Sequence, residues 1–190
     1  MSTYRIENCA GSAESARRAE LGGAYRVELC AGLPEGGTTP SYGEILTARR
    51  AISIKLNVII RPRSGDFLYT PIEVEAMLAD IRMARELGAD GIVVGCLTAD
   101  GAVDKPLLRR FVEAAEGLPV TFHRAIDVCQ DRAQALEDII EAGCARVLTS
   151  GGAASAPEGA DTFTGAGAII GSGTIPGAGA PGSPGAGKAP

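Results

Sequence analysis

Two short stretches of the chain each carry a carboxylate and a thiol two residues apart: Glu7 and Cys9 in "YRIENC", Glu28 and Cys30 in "YRVELC". Residues i and i+2 of an extended segment share a face, so each pair projects to one side. If the two segments are neighbouring parallel strands in matching register, about 5 Å apart, the thiols of Cys9 and Cys30 face one space. Two thiolates with no other soft donor suit linear Cu(I), because sulfur selects that ion over magnesium or calcium. Tetrahedral zinc needs two more ligands, and His123, the single histidine, supplies at most one.

A second constellation suits a different chemistry. "RPRSGD" holds Arg61, Arg63 and Asp66, and "HRAID" holds His123, Arg124 and Asp127. The three arginines can anchor a small carboxylate or phosphate, with His123 and Glu28 as acid/base partners; Asp66 and Asp127 complete the candidate set for an enzyme. Each group also has a plain structural reading. Glu28 can form an ion pair with Arg61 or Arg63, and a lone histidine is commonly hydrogen-bonded scaffold. Cys96, Cys129 and Cys144 read as small packing residues.

These residues must be positioned by the elements that carry them. Up to about residue 150 the chain repeats one unit: a short apolar strand, a loop, an amphipathic helical segment. Strands are expected at 4–9, 25–29, 55–60, 91–95, 119–123 and 145–149, and helices at about 12–22, 42–52, 72–87, 104–116 and 131–142. Pro71 and Asp131 are start signals for the third and fifth helices. Gly23, Gly88 and Gly143 follow the first, third and fifth helices as stop signals. Regular βα alternation implies parallel strands with right-handed crossovers under a cover of helices. No G-x-G-x-x-G follows the first strand, which weakens a dinucleotide-binding sheet and favours barrel-type units. In such units functional residues gather where strands end, and every candidate above lies there.

Composition narrows the rest. At 190 residues, with 45% hydrophobic and 22% charged residues, the chain suits one buried domain. A net charge of -5 argues against nucleic acid or an anionic membrane as partner. No apolar run approaches a membrane span and the N-terminus lacks the layout of a signal peptide, so a cytoplasmic protein is expected. Five cysteines without a C-x-x-C pair fit reduced thiols.

After Gly151 the character changes. The last 40 residues contain 12 Gly, 10 Ala and 5 Pro, with Glu158, Asp161 and Lys188 the only charges. Such a segment has little to bury, so residues 153–190 are expected to be a disordered low-complexity tail after a domain at 1–152. "AIIG" at 168–171 is its one hint of a strand.

"RVELCAGLPEGGTTPS", "IIRPRSGDFLYT", "DIRMARELGADGIVVGCLTADGAVD", "LPVTFHRAID" and "RVLTSGG" closely resemble the CutC copper homeostasis family, from about Tyr4 to Gly152. The resemblance implies a TIM barrel, a cytosolic protein that binds Cu(I), and copper ligands at Cys9 and Cys30. Members continue through two further βα units, whereas here the match fades after about Glu158. A truncated or frameshifted product is therefore expected: an α/β, TIM-barrel-type repeat with about six of eight βα units. Six strands cannot close a barrel, so the edges of the first and sixth strands should be bare unless a second copy or the tail covers them. Three functional readings stand: a Cu(I)-binding homeostasis protein, a TIM-barrel enzyme acting on a small anion, and a product without function.

Overall fold

In the computed structural model the described residues are 5–159, 162 and the strand 169–171. Five helices alternate with the strands, and each begins at a side chain that satisfies an otherwise orphaned N–H. Ser12, Ser41, Thr70, Asp104 and Asp131 cap α1 (Ala13–Leu21), α2 (Tyr42–Ala51), α3 (Pro71–Glu86), α4 (Lys105–Ala114) and α5 (Arg132–Glu141). At α3 the cap is reciprocal: Thr70 and Glu73 each accept from the other's backbone N–H, and Pro71 takes the first helical position. Gly23, Gly88 and Gly143 sit at φ +88°, +86° and +92°, so the three expected helix stops are left-handed turns.

The strands are β1 (Glu7–Ala10), β2 (Arg26–Leu29), β3 (Lys55–Ile59), β4 (Gly91–Val94), β5 (Val120–Phe122), β6 (Arg146–Thr149) and β7 (Ile169–Gly171). They pair in sequence order and all in parallel. The chain is thus a TIM-barrel-type α/β repeat, with one strand more than the six expected. β7 falls on the "AIIG" hint and pairs with β6 through Val147, Leu148 and Thr149. The edge expected at β6 is therefore covered, and β7 takes its place as the terminal strand. Residues 153–159, at the start of the expected tail, form hydrogen-bonded turns, with the Ala153 N–H on the Ser150 carbonyl and the Gly159 N–H on the Ser155 carbonyl. Apart from these, residue 162 and β7, the disorder expected for the tail concerns residues outside those described.

Alternation along each strand makes two cores. Val27, Leu29, Leu56, Val58, Ile92, Val94 and Phe122 join the large cluster that includes Ile45, Met77, Ile81, Phe111 and Ile139 of the helices. Cys30, Ile59 and Val93 form a separate cluster on the opposite, concave face. Curvature of the sheet is evident from Arg146. It lies on β6, four strand spacings from β2, about 19 Å in a flat sheet. Its guanidinium nevertheless sits within the field of Arg26 and Glu7, so the sheet has curled to bring β6 towards β1 and β2.

Candidate functional site

The concave face is where the strand-end pairs meet, but not in matching register. Cys9 lies opposite Glu28, and Ala10 opposite Leu29. Cys30 is one step past the strand, its N–H bonded to the Ala10 carbonyl at 2.9 Å. The thiols therefore meet on a diagonal, with Cys9 Sγ 3.8 Å from Cys30 Sγ. Both point at one carboxylate oxygen: Glu28 Oε1 is 3.7 Å from Cys9 Sγ and 3.6 Å from Cys30 Sγ. Cys9, Glu28 and Cys30 are the one group of three potential metal donors that converge among the described residues. Cys30 and Glu28 are buried and Cys9 is exposed, so the cluster has an open side.

Burial, and then the charge of Glu7, push the Glu28 carboxyl up to about 7, against the two thiols that hydrogen-bond it. The Cys30 thiol is also pushed well up, first by its hydrogen bond with Cys9 and then by burial. At neutrality the Cys30 thiol therefore keeps its proton and Glu28 is about half protonated, and a bound cation would have to displace those protons. Glu7 stands apart from this cluster. It pairs with Arg26 at 2.7 Å and accepts from Asn57 Nδ2 at 3.4 Å, one row deeper along the strands.

The second constellation is largely spent on the chain itself. Arg61 makes no ion pair with Glu28. Its Nη1 donates to the carbonyls of Glu35 (3.1 Å) and Gly37 (3.0 Å) and its Nη2 to Gly65 (2.9 Å), which ties the loops after β2 and β3 together. Gly37, at φ +85°, packs where an added Cβ would stand 3.5 Å from Cys30 Sγ, so Arg61 holds the loop that walls the thiol. Arg63 pairs with Asp66 and Glu73, away from the cysteines. Arg124 pairs with Asp127 at 2.8 Å and donates to Ser150. Asp127 also accepts from Thr149, from the N–H of Ser150 (2.9 Å) and from that of Gly152 (3.0 Å). Burial opposes its charge, but these donors outweigh it and hold the carboxyl below the ordinary range.

His123 is buried beside Phe67, ring centroids 5.0 Å apart, and Arg61 lies 5.0 Å from the same Phe67 ring. Its Nδ1 accepts from the Ala125 N–H, which places the ring proton on Nε2. Burial, with the nearby Arg61 charge, lowers it to about 3, so it is neutral. Among the described residues neither His123 Nε2 nor Arg61 Nε has an acceptor, and both are enclosed.

A family model described as the CutC family matches residues 4–167. The chain belongs to the CutC family. A CutC family protein of Bacteroides thetaiotaomicron is 62% identical over 160 residues, which cover 84% of this chain and 64% of that protein. One from Chromobacterium violaceum is 53% identical over 155 residues, 82% of this chain and 63% of the relative. The chain thus spans a little under two thirds of the curated CutC relatives it matches. A copper homeostasis protein CutC from Streptococcus agalactiae superposes with a TM-score of 0.76 at 36% identity, covering 80% of this chain and 74% of that one. Phosphonopyruvate hydrolase, solved with oxalate and Mg++, superposes at 0.56 with 15% identity, a likeness of fold alone.

Around this CutC-family site, three contributors escaped the reading of residue types. Asn57, in the apolar run "KLNVII", is buried and bonds Glu7; a polar residue inside an apolar strand was its signal. Gly95 follows β4 where an added Cβ would lie 2.2 Å from His123 Cε1, so only glycine admits the ring. Phe67 looks like any loop aromatic in sequence, and nothing there announces its contact with both Arg61 and His123.

Proposed function

We propose that this chain binds Cu(I) through Cys9 and Cys30 and serves copper homeostasis in the cytoplasm, where thiols stay reduced. The observation that carries the reading is the 3.8 Å separation of two thiols from adjacent strands, one of them open to solvent. Soft sulfur donors fit a monovalent copper ion, which here is cargo. The description of the Streptococcus agalactiae relative as a copper homeostasis protein supports the same assignment. Titration of the reduced protein with Cu(I) against a chromogenic chelator tests it. Wild type should take up about one ion, Cys9→Ala and Cys30→Ala should lose it, and Cys144→Ala should behave as wild type. Equal uptake by Cys30→Ala and wild type would sink the assignment.

A second reading, an enzyme acting on a small anion, draws support from the enclosed N–H groups of Arg61 and His123, which lack acceptors among the described residues. It draws none from Arg63 or Arg124, whose carboxylate partners lie within the chain. Inorganic phosphate and oxalate should then raise the melting temperature of wild type and not of His123→Leu. No shift with either anion counts against an enzyme of this kind.

A further inference from the structure

Arg61 and His123 are each only 5% exposed, yet among the described residues Arg61 Nε and His123 Nε2 have no acceptor. The Arg61 guanidinium donates to the carbonyls of Glu35, Gly37 and Gly65, and no carboxylate pairs with it among the described residues. A full positive charge is thus enclosed among dipoles alone, whereas Arg63 and Arg124 have their carboxylates. Buried charges are ordinarily paired and buried donors ordinarily bonded. His123 adds an N–H and no charge, because its Nδ1 accepts the Ala125 N–H at 3.2 Å and the ring proton sits on Nε2.

One aromatic ring faces both groups. The Phe67 centroid lies 5.0 Å from Arg61 Cζ and 5.0 Å from the His123 ring, whose plane is inclined to it by 51°. The negative face of such a ring attracts a cation and an N–H alike, but less strongly than an anion does. Phe67 is half-buried and its neighbours Ser64, Gly65, Asp66 and Leu68 are exposed, so the ring is the cover between the two donors and solvent. The backbone beneath it is tied: the Phe67 carbonyl accepts from the Leu97 N–H at 2.9 Å, and Arg63 donates to the carbonyls of Ser64, Asp66 and Leu68. The side chain can change rotamer while that backbone stays in place. We infer that Arg61 Nε and His123 Nε2 bind the carboxylate of a small molecule, and that the Phe67 ring covers this site until it swings aside. The inference rests on the small-anion reading above and deepens it by naming the ligand class and the gate. Two free N–H donors match the two oxygens of a carboxylate, and one guanidinium compensates one negative charge. A second carboxylate, as in oxalate, can remain outside at the exposed loop, whereas compact phosphate carries its whole charge inward and leaves part of it uncompensated.

The chain holds a single histidine, so the nitrogen and proton NMR signals of its Nε2–H read this donor directly. The test titrates sodium formate, sodium oxalate and inorganic phosphate into the reduced full chain, wild type and Phe67→Ala, with sodium chloride as the reference salt. Formate and oxalate should move the signal saturably and bind about 10-fold more tightly than phosphate. Phe67→Ala should bind both carboxylates about 10-fold more tightly than wild type, because no ring contact has to break first. The order of the anions in wild type decides the ligand class even where Phe67→Ala is too unstable to titrate. Phosphate binding as tightly as formate, or chloride moving the signal equally, would overturn the carboxylate and leave the small-anion reading standing. Equal carboxylate affinities in the two proteins would overturn the gate. If no anion moves the signal in either protein, the inference and the small-anion reading fall together.

Discussion

At the scale of single residues, the concave face is governed by two buried titratable groups of opposite sense. His123 is held to about 3 in the fold against an ordinary 6.5, so the unfolded chain binds its proton first. Stability from this group is present above pH 6.5 and is lost as pH falls towards 3, by about 1.4 kcal/mol per unit, or about 2 kcal/mol between pH 6.5 and 5. Glu28 is raised to about 7 from 4.5, so its stability is present below pH 4.5 and is lost as pH rises through 7. Between pH 4.5 and 6.5 the two slopes oppose each other, and urea denaturation of the metal-free wild type should vary little there. His123→Gln removes one slope and should gain stability on acidification from pH 6.5 to 5, by about 2 kcal/mol relative to wild type. Parallel profiles would show that His123 is not neutral by burial. Gly95→Ala attacks the same ring sterically, and a Cβ 2.2 Å from Cε1 should cost about 2–3 kcal/mol in the same assay.

At the scale of elements, most of the fold was legible because each boundary is marked by local chemistry. Apolar strands and amphipathic helices repeat along the chain, Pro71 and Asp131 mark two helix starts, and three of the stops fall on glycines at positive φ, so the βα alternation could be read; the caps Ser12, Ser41, Thr70 and Asp104 were seen only in the structure. The shared face of Glu28 and Cys30 was legible for the same reason, since it follows from strand period alone. What pairs with what across the sheet was not. Register places Cys9 against Glu28 rather than Cys30, and no residue type announces that diagonal. Of the two arginines open to Glu28 as ion-pair partners, Arg61 spends its donors on backbone carbonyls, which every residue carries and no residue type announces. The Asp127 junction between the ends of β5 and β6 was hidden likewise, and it offers a test of how elements are joined. Asp127→Ala strips an acceptor from Arg124, Thr149 and the Ser150 and Gly152 N–H groups, and should lower stability by about 3 kcal/mol. Thr70→Ala removes one half of a surface capping box and should cost about 1 kcal/mol, so urea curves should separate the two.

At the scale of the whole molecule, the sheet formed by the described residues is open. Among the described residues β1 pairs only with β2 and β7 only with β6, so two strand edges offer unpaired backbone groups. The apolar cluster between sheet and helices nevertheless runs without a break from Ala10 on β1 to Val147 on β6. One continuous core should unfold in one step, and a chain that melts in a single cooperative transition by circular dichroism is a folded protein rather than a defective product. The bare edges then act between molecules. β1 is short and presents Asn8 and Cys9 to solvent, with no lysine or proline among its four residues to discourage another strand. Sedimentation velocity across a hundredfold range of concentration should show the average mass rising in wild type. Asn8→Lys adds a charge to that edge without touching the buried core, and should keep the protein monomeric at the same melting temperature. Because Cys9 sits on this edge, association would also cover the open side of the thiol cluster, so Asn8→Lys should take up metal faster at high protein concentration. A wild type that stays monomeric throughout would mean that the edges are already occupied within the chain.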